Sequence, residues 1–150
     1  RSNPSQSTIS AQPTIYIPFP TETTPAPIFG SIKIGKNELN VEIASTPEAI
    51  QLGLSGRKEI GSDGMLFEIN PPRQTAFWMK DMLFPLDLIW IYGNKIIGIE
   101  KNVPTPTAGI TDDKLPLYNS PSSVNYVLEL PASSTSKLKI DLSSQISIPR

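Results

Sequence analysis

A small α+β domain, mainly β, is the fold class this sequence predicts: a barrel-like or strongly curved antiparallel sheet closed by two short helices. Three observations predict it. Apolar and polar residues alternate over short runs, with Ile32 and Ile34 set against Ser31 and Lys33, and Leu39, Val41 and Ile43 against Asn40 and Glu42, the period of a half-buried strand. The strongest apolar runs, FWM at 77–79 and LDLIWIY at 86–92, are strand-length and end at charges or glycine. Helix-start chemistry is confined to two short stretches, at Thr46-Pro47-Glu48 and at Pro131.

Taken in order, residues 1–29 hold six Pro and nine Ser or Thr, with Arg1 and Glu22 as the charges. Proline donates nothing to a ladder and the segment lacks apolar periodicity, so it reads as a disordered linker or stalk that spans roughly 90 Å as polyproline II at ~3.1 Å per residue. Ile15, Tyr16 and Ile17 form a small apolar patch within it that could dock on the domain. A single domain is predicted over 30–150, of a length that suits one core. Its first hairpin turns at Gly35, Lys36 and Asn37. Thr46 offers an N-cap, Pro47 a first helical position and Glu48 an acid in the first turn, which predicts a helix over 47–54 that stops by Gly56. The turn at 61–64 launches a strand that ends at Asn70-Pro71-Pro72. A second strand over 75–79 is predicted to be central if both its sides are buried. Residues 86–100 form a hairpin about Gly93 and Asn94. The Pro-rich stretch 101–123 is a long loop folded over one mouth of the core. A strand at 124–130, a short helix over 131–139 and a last strand at 145–148 complete the domain. The predicted core is Ile43, Leu54, Met65, Phe67, Phe77, Met79, Leu86, Leu88, Trp90, Ile97, Val127 and Leu128. Val127 and Leu128 point opposite ways, so both are buried only if their strand is covered on both faces.

Five short blocks stand out in these segments: GLSGR at 53–57, GMLF at 64–67, FWMKD at 77–81, PLD at 85–87 and YVLEL at 126–130. In this order they resemble the signature blocks of the domain-of-unknown-function 192 family, over about residues 32–148. The resemblance implies a small, compact, β-rich domain of a kind often found in secreted or membrane-tethered bacterial and archaeal proteins, and it implies no activity. The family usually carries a glycine after the Pro-Ala that precedes the second helix, where this chain has Ser133. The first residue is Arg1 rather than Met, which fits a trimmed or mature form whose signal or membrane anchor has been removed. Together these predict a secreted or membrane-tethered, extracytoplasmic setting.

Composition removes several function classes. A net charge of −1 and a pI near 5.4 supply no basic field, so no nucleic-acid partner is expected. With neither Cys nor His, thiol nucleophiles, disulfides, an unshifted neutral-pH acid or base and the usual zinc ligands are all absent. No calcium loop of the D-x-[DN]-x-[DN]-G type occurs, and no metal or cofactor is expected. No apolar run reaches the ~18–20 residues of a membrane span. The motifs G-x-S-x-G, the phosphate loop and the dinucleotide fingerprint are missing.

What remains is a cluster of charges beside the apolar blocks: Arg57, Lys80, Asp81, Asp87 and Glu129. Charges next to buried strands are costly unless paired, so Lys80–Asp87 and Arg57–Glu129 ion pairs are the plain expectation, with Trp78 in the core. The sharper expectation is a ligand site of Arg57, Trp78, Lys80 and Asp87, in which Trp78 stacks a ring or sugar and the cations hold an anionic group. The predicted function is therefore non-catalytic binding of a small anionic or sugar-like ligand. The alternatives are a protein–protein interaction or structural module, with Phe84 beside Pro85 or the long loop as its contact, and a carboxylate-based hydrolase working through a pair of acids.

Overall fold

The computed structural model describes residues 25–149, and the expected stalk up to residue 24, with its Ile15–Ile17 patch, lies outside them. Seven strands form one strongly curled half-barrel sheet: β1 (Ile28–Ile34), β2 (Asn37–Ala44), β3 (Gly64–Arg73), β5 (Leu86–Tyr92), β6 (Lys95–Val103), β8 (Val124–Pro131) and β9 (Ile146–Ser147). Their order is β6-β5-β8-β3-β2-β1-β9. Two further strands, β4 (Ala76–Phe77) and β7 (Tyr118–Asn119), pair as a separate ribbon. Two short helices, α1 (Pro47–Leu52) and α2 (Ser134–Lys137), complete the predicted mainly β fold.

Sheet neighbours are antiparallel except β2 and β3, which run parallel from Val41 opposite Gly64 to Ala44 opposite Phe67. A parallel pair needs a crossover, and residues 45–63 with α1 supply it. Thr46 caps α1 as its sequence predicts, accepting a hydrogen bond from the Ala49 amide at 3.1 Å. The helix ends at Leu52, two residues short of its predicted end, because Gly53 adopts φ 51.

Side chains leave this sheet toward two cores. Ile32, Ile34, Leu39, Val41, Leu66, Ile89, Ile91, Ile96, Leu128, Leu130 and Ile146 form one cluster, drawn from all seven strands, so it lines the concave face of the curl. Met65, Phe67, Ile69, Leu86, Leu88, Trp90 and Val127 form the other, on the convex face. There they are covered by Leu54, Ile60, Phe77, Met79 and Met82 from the connecting segments. Phe77 stands edge-on to both Phe67 and Trp90, with centroids 4.9 and 6.0 Å away. Val127 and Leu128 are thus both buried, one in each cluster. Ten of the twelve predicted core residues are buried; Ile43 and Ile97 are only half-buried, Ile43 because it covers Gly30 near the sheet margin and Ile97 because it lies on edge strand β6.

Two other elements differ from the sequence reading. The segment 75–79 is not a central strand: only Ala76 and Phe77 pair, with β7, and the chain leaves strand geometry before the Lys80-Asp81 turn, where Asp81 takes φ 57. The second helix does not begin at Pro131, which still pairs with Leu86 at the end of β8. The chain turns into α2 through Ser133 in the left-handed region, φ 71. That conformation favours glycine, so the Ser133 departure falls at a position where a side chain is strained.

Asp87 holds α2 to the sheet. Its side chain has no exposed surface. One carboxylate oxygen accepts from the amides of Asn102 (2.8 Å) and Ser133 (3.2 Å), the other from the amide (2.9 Å) and hydroxyl (2.7 Å) of Thr135. Burial alone would raise this carboxyl, but the donated hydrogen bonds outweigh it and hold it below the usual carboxylate range.

Two predictions follow from this architecture. A Cβ at Gly64 would sit 2.6 Å from the Glu129 carbonyl oxygen, so Gly64→Ala should cost about 2 kcal/mol in urea unfolding; an unchanged midpoint contradicts the packing. Asp87→Asn should cost about 2–4 kcal/mol, because an amide nitrogen would face backbone donors. A depressed carboxyl adds stability that is complete above its unfolded value near ~3.9 and is lost as pH falls through the lower folded value. The gap between wild type and Asp87→Asn should therefore narrow as unfolding is measured from about pH 5 toward pH 2, and parallel pH profiles would rule out an ionised Asp87.

Candidate functional site

The four residues expected to line one pocket do not converge. Their positions follow from which face of the sheet each one serves. Asp87 lies between Leu86 and Leu88 of the convex core, so it points to the concave side and α2. Arg57, Trp78 and Lys80 belong to the segments that cover the convex side. The expected Lys80–Asp87 pair is therefore excluded by the strand's own alternation.

Arg57 pairs with Glu42, not with Glu129. Its two terminal nitrogens reach the two Glu42 oxygens at 2.6 and 2.9 Å, and Nη1 also donates to the Ile60 carbonyl at 3.3 Å. The Glu42 hydrogen bonds outweigh desolvation and raise the guanidinium pKa further. Glu42 is available because it sits on β2 beside the crossover, whereas Glu129 is fully buried in β8 between Met65 and Leu88. Such a bidentate pair suits a guanidinium with a carboxylate and leaves little of it for a free ligand.

Lys80 pairs with Asp112 at 2.5 Å. Its ammonium also stands 5.6 Å from the centre of the Trp78 ring. Trp78 is 5% exposed. The loops of Arg57 and Lys80 do touch: Gly56 N–H donates to the Asp81 carbonyl and Ser55 Oγ to the Lys80 carbonyl, both at 2.8 Å. Neighbouring loops thus aim their charges at separate partners.

An open groove of about 560 Å³ lies where the crossover meets the end of β8, lined by residues 58–62 on one side and by Phe84, Pro85, Pro131 and Ala132 on the other. That volume falls within the range of small-molecule sites. Each wall is pinned by one of the expected site residues. Arg57, clamped on Glu42, holds the Ile60 carbonyl, and the wall's far end is fixed by Asn40 N–H donating to Asp63 at 2.8 Å. Opposite, the Ala132 amide donates to the Pro85 carbonyl at 3.2 Å, and the next residue, Ser133, donates to Asp87. Arg57 and Asp87 therefore position the groove rather than line it. Phe84 is half-buried against the convex core, so the exposed apolar residue of this turn is Leu83, 59% exposed.

The groove's other residues gave little sequence signal beyond the Phe84-Pro85 pair, because Lys58, Ser62 and Ala132 are ordinary loop residues until the fold faces them across a gap. Among the described residues no group of three or more acidic side chains could hold a metal ion, and no helix is long and apolar enough to cross a membrane.

Comparison with known proteins agrees with the fold. A solved structure from Sinorhizobium meliloti 1021, described provisionally as a transcription regulator, is 26% identical with a TM-score of 0.72, over 81% of this chain and 95% of that one. A protein of unknown function from Novosphingobium aromaticivorans DSM 12444 is 22% identical with a TM-score of 0.70, over 82% of this chain and 93% of that one. No curated protein matches the chain. The family model of DUF192, described as "Uncharacterized ACR", matches residues 30–148. The chain belongs to the domain-of-unknown-function 192 family.

Proposed function

We propose that this domain is a non-catalytic binding module whose groove takes a small sugar-like ligand carrying an acid group, in an extracytoplasmic setting. One observation carries the reading: the Arg57–Glu42 clamp and the Asp87 network end on opposite walls of the same open groove. Ligand sites are commonly preformed, and walls held in place reduce the ordering cost of binding. Phe84 and the rings of Pro85 and Pro131 offer flat apolar faces to a sugar ring, Lys58 a cation for the acid, and Glu59 and Ser62 partners for hydroxyls. The Pro/Ser/Thr-rich N-terminal residues suit a tether that holds such a domain away from a surface.

A hydrolase is less well supported, because Asp87, a fully buried acid of the expected set, already accepts four hydrogen bonds. A transcription-regulator role, the one given to the S. meliloti protein, is not favoured for this chain, since a net charge of −1 supplies no field for a phosphate backbone.

The test is thermal unfolding of the chain against uronic acids, N-acetylated sugars and uncharged sugars. A uronic acid at 100-fold over its Kd should add about 2.7 kcal/mol of stability. Lys58→Ala should weaken that shift and Ala132→Trp, which fills the groove, should abolish it while both variants remain folded. No shift with any acidic sugar, or one insensitive to Ala132→Trp, overturns the reading. Arg57→Ala should destabilise the fold by about 1–2 kcal/mol, a buried-pair cost reduced by the partial exposure of Arg57, and should also weaken the ligand shift by freeing the 58–62 wall. Arg57→Ala unfolding at the wild-type urea concentration would contradict the clamp.

A further inference from the structure

Residues 104–117 cross from β6 to β7 over the Trp78–Lys80 turn, and they are tied down lightly. Leu115 is the one buried side chain among them. Their backbone hydrogen bonds include three that are internal, Ile110 to Thr107 (3.1 Å), Lys114 to Thr111 (3.0 Å) and Leu115 to Asp112 (3.2 Å), so the segment carries part of its own structure. A single-turn 3-10 helix, Asp112–Lys114, presents Asp112 to Lys80. Both members of that ion pair are substantially exposed, 39% and 57% by side chain. Exposed pairs of this kind are weak and screened by salt.

What lies near the pair is unusual. Trp78 is buried, yet it belongs to neither the concave nor the convex core cluster, and the same is true of Leu115. Phe77 and Met79, its chain neighbours, fill the convex core, and Trp78 packs outside it. On that outer side Lys80 Nζ stands between an aromatic face and a carboxylate, 5.6 Å from the Trp78 centroid and 2.5 Å from Asp112 Oδ2. An aromatic surface beside a cation is the arrangement that holds an anion attached to a flat ring.

We infer that residues 104–117 are a displaceable lid over a second binding site formed by Trp78 and Lys80, with Asp112 occupying the place of the carboxylate of a planar-ring ligand. In the closed form Asp112 neutralises Lys80. Opening frees the ammonium and uncovers the Trp78 face, and a ring carboxylate takes over both contacts. The site is separate from the groove of residues 58–62, 84–85 and 131–132, so either can fail alone.

Tryptophan fluorescence of the full chain tests this. Trp90 has no exposed surface and gives a constant background, and Trp78→Phe identifies the Trp78 signal. In Asp112→Ala, iodide should quench Trp78 more strongly than in wild type, and added NaCl should increase acrylamide quenching of wild type alone. Sodium benzoate is the ligand probe. It should perturb Trp78 emission saturably and bind Asp112→Ala about two- to fivefold more tightly than wild type, the factor an exposed ion pair supplies. Lys80→Met should abolish the benzoate effect. The charge-swapped pair, Lys80→Asp with Asp112→Lys, should restore low quenching. Equal quenching in wild type and Asp112→Ala would overturn the lid, and failure of benzoate to perturb Trp78 in Asp112→Ala would overturn the site.

Discussion

Burial of β3, β8 and β5 on both faces is the constraint on which the rest depends. A curled sheet can fill its own concave side, as Ile89, Leu128 and their neighbours do here. Its convex side then has to be covered by something else. The crossover after β2 and the 76–84 segment provide that cover through Leu54, Ile60, Phe77, Met79 and Met82. Because those segments are irregular, their backbone groups need partners, and contacts such as Gly56 to Asp81 and Ser55 to Lys80 supply them.

Charge follows from the same constraint. A carboxylate in a strand with two buried faces cannot reach water, so Asp87 is tolerated only because four donors surround it. Those donors come from Asn102 and from the start of α2, which ties the end of β8 and its turn to the sheet. On the other side, Arg57 draws Glu42 and the Ile60 carbonyl together. The groove is the gap between two turns that the fold had to immobilise for its own stability, and the proposed ligand would meet walls already held in place.

Much of the fold was legible because it rests on local rules. Alternation marked β1 and β2, the Gly93 turn marked the β5–β6 hairpin, and Thr46 marked the start of α1. The requirement that Val127 and Leu128 both be buried anticipated cover on two faces. What stayed hidden was non-local. A helix between β2 and β3 was visible, yet the parallel pairing it imposes was not drawn from it. The predicted core favoured the convex cluster, since the large residues sit there, and Leu128 alone represented the concave one. The site residues were singled out for being charged near apolar blocks. That signal found residues that matter to the fold, but it cannot tell a lining residue from one that positions a wall. Pairing depends on which strand lies alongside, which is why Glu42 and Asp112 were not foreseen as partners.

The most direct test of the groove as the binding site is an amide chemical-shift titration of the whole chain with a uronic acid, such as galacturonate. The account predicts saturable shifts that cluster at the amides of 58–62, Phe84 and Ala132, with a smaller response at Ser133 through the Asp87 network, while the concave core stays still. Saturable shifts centred elsewhere, or none at concentrations that fill a millimolar site, would contradict it.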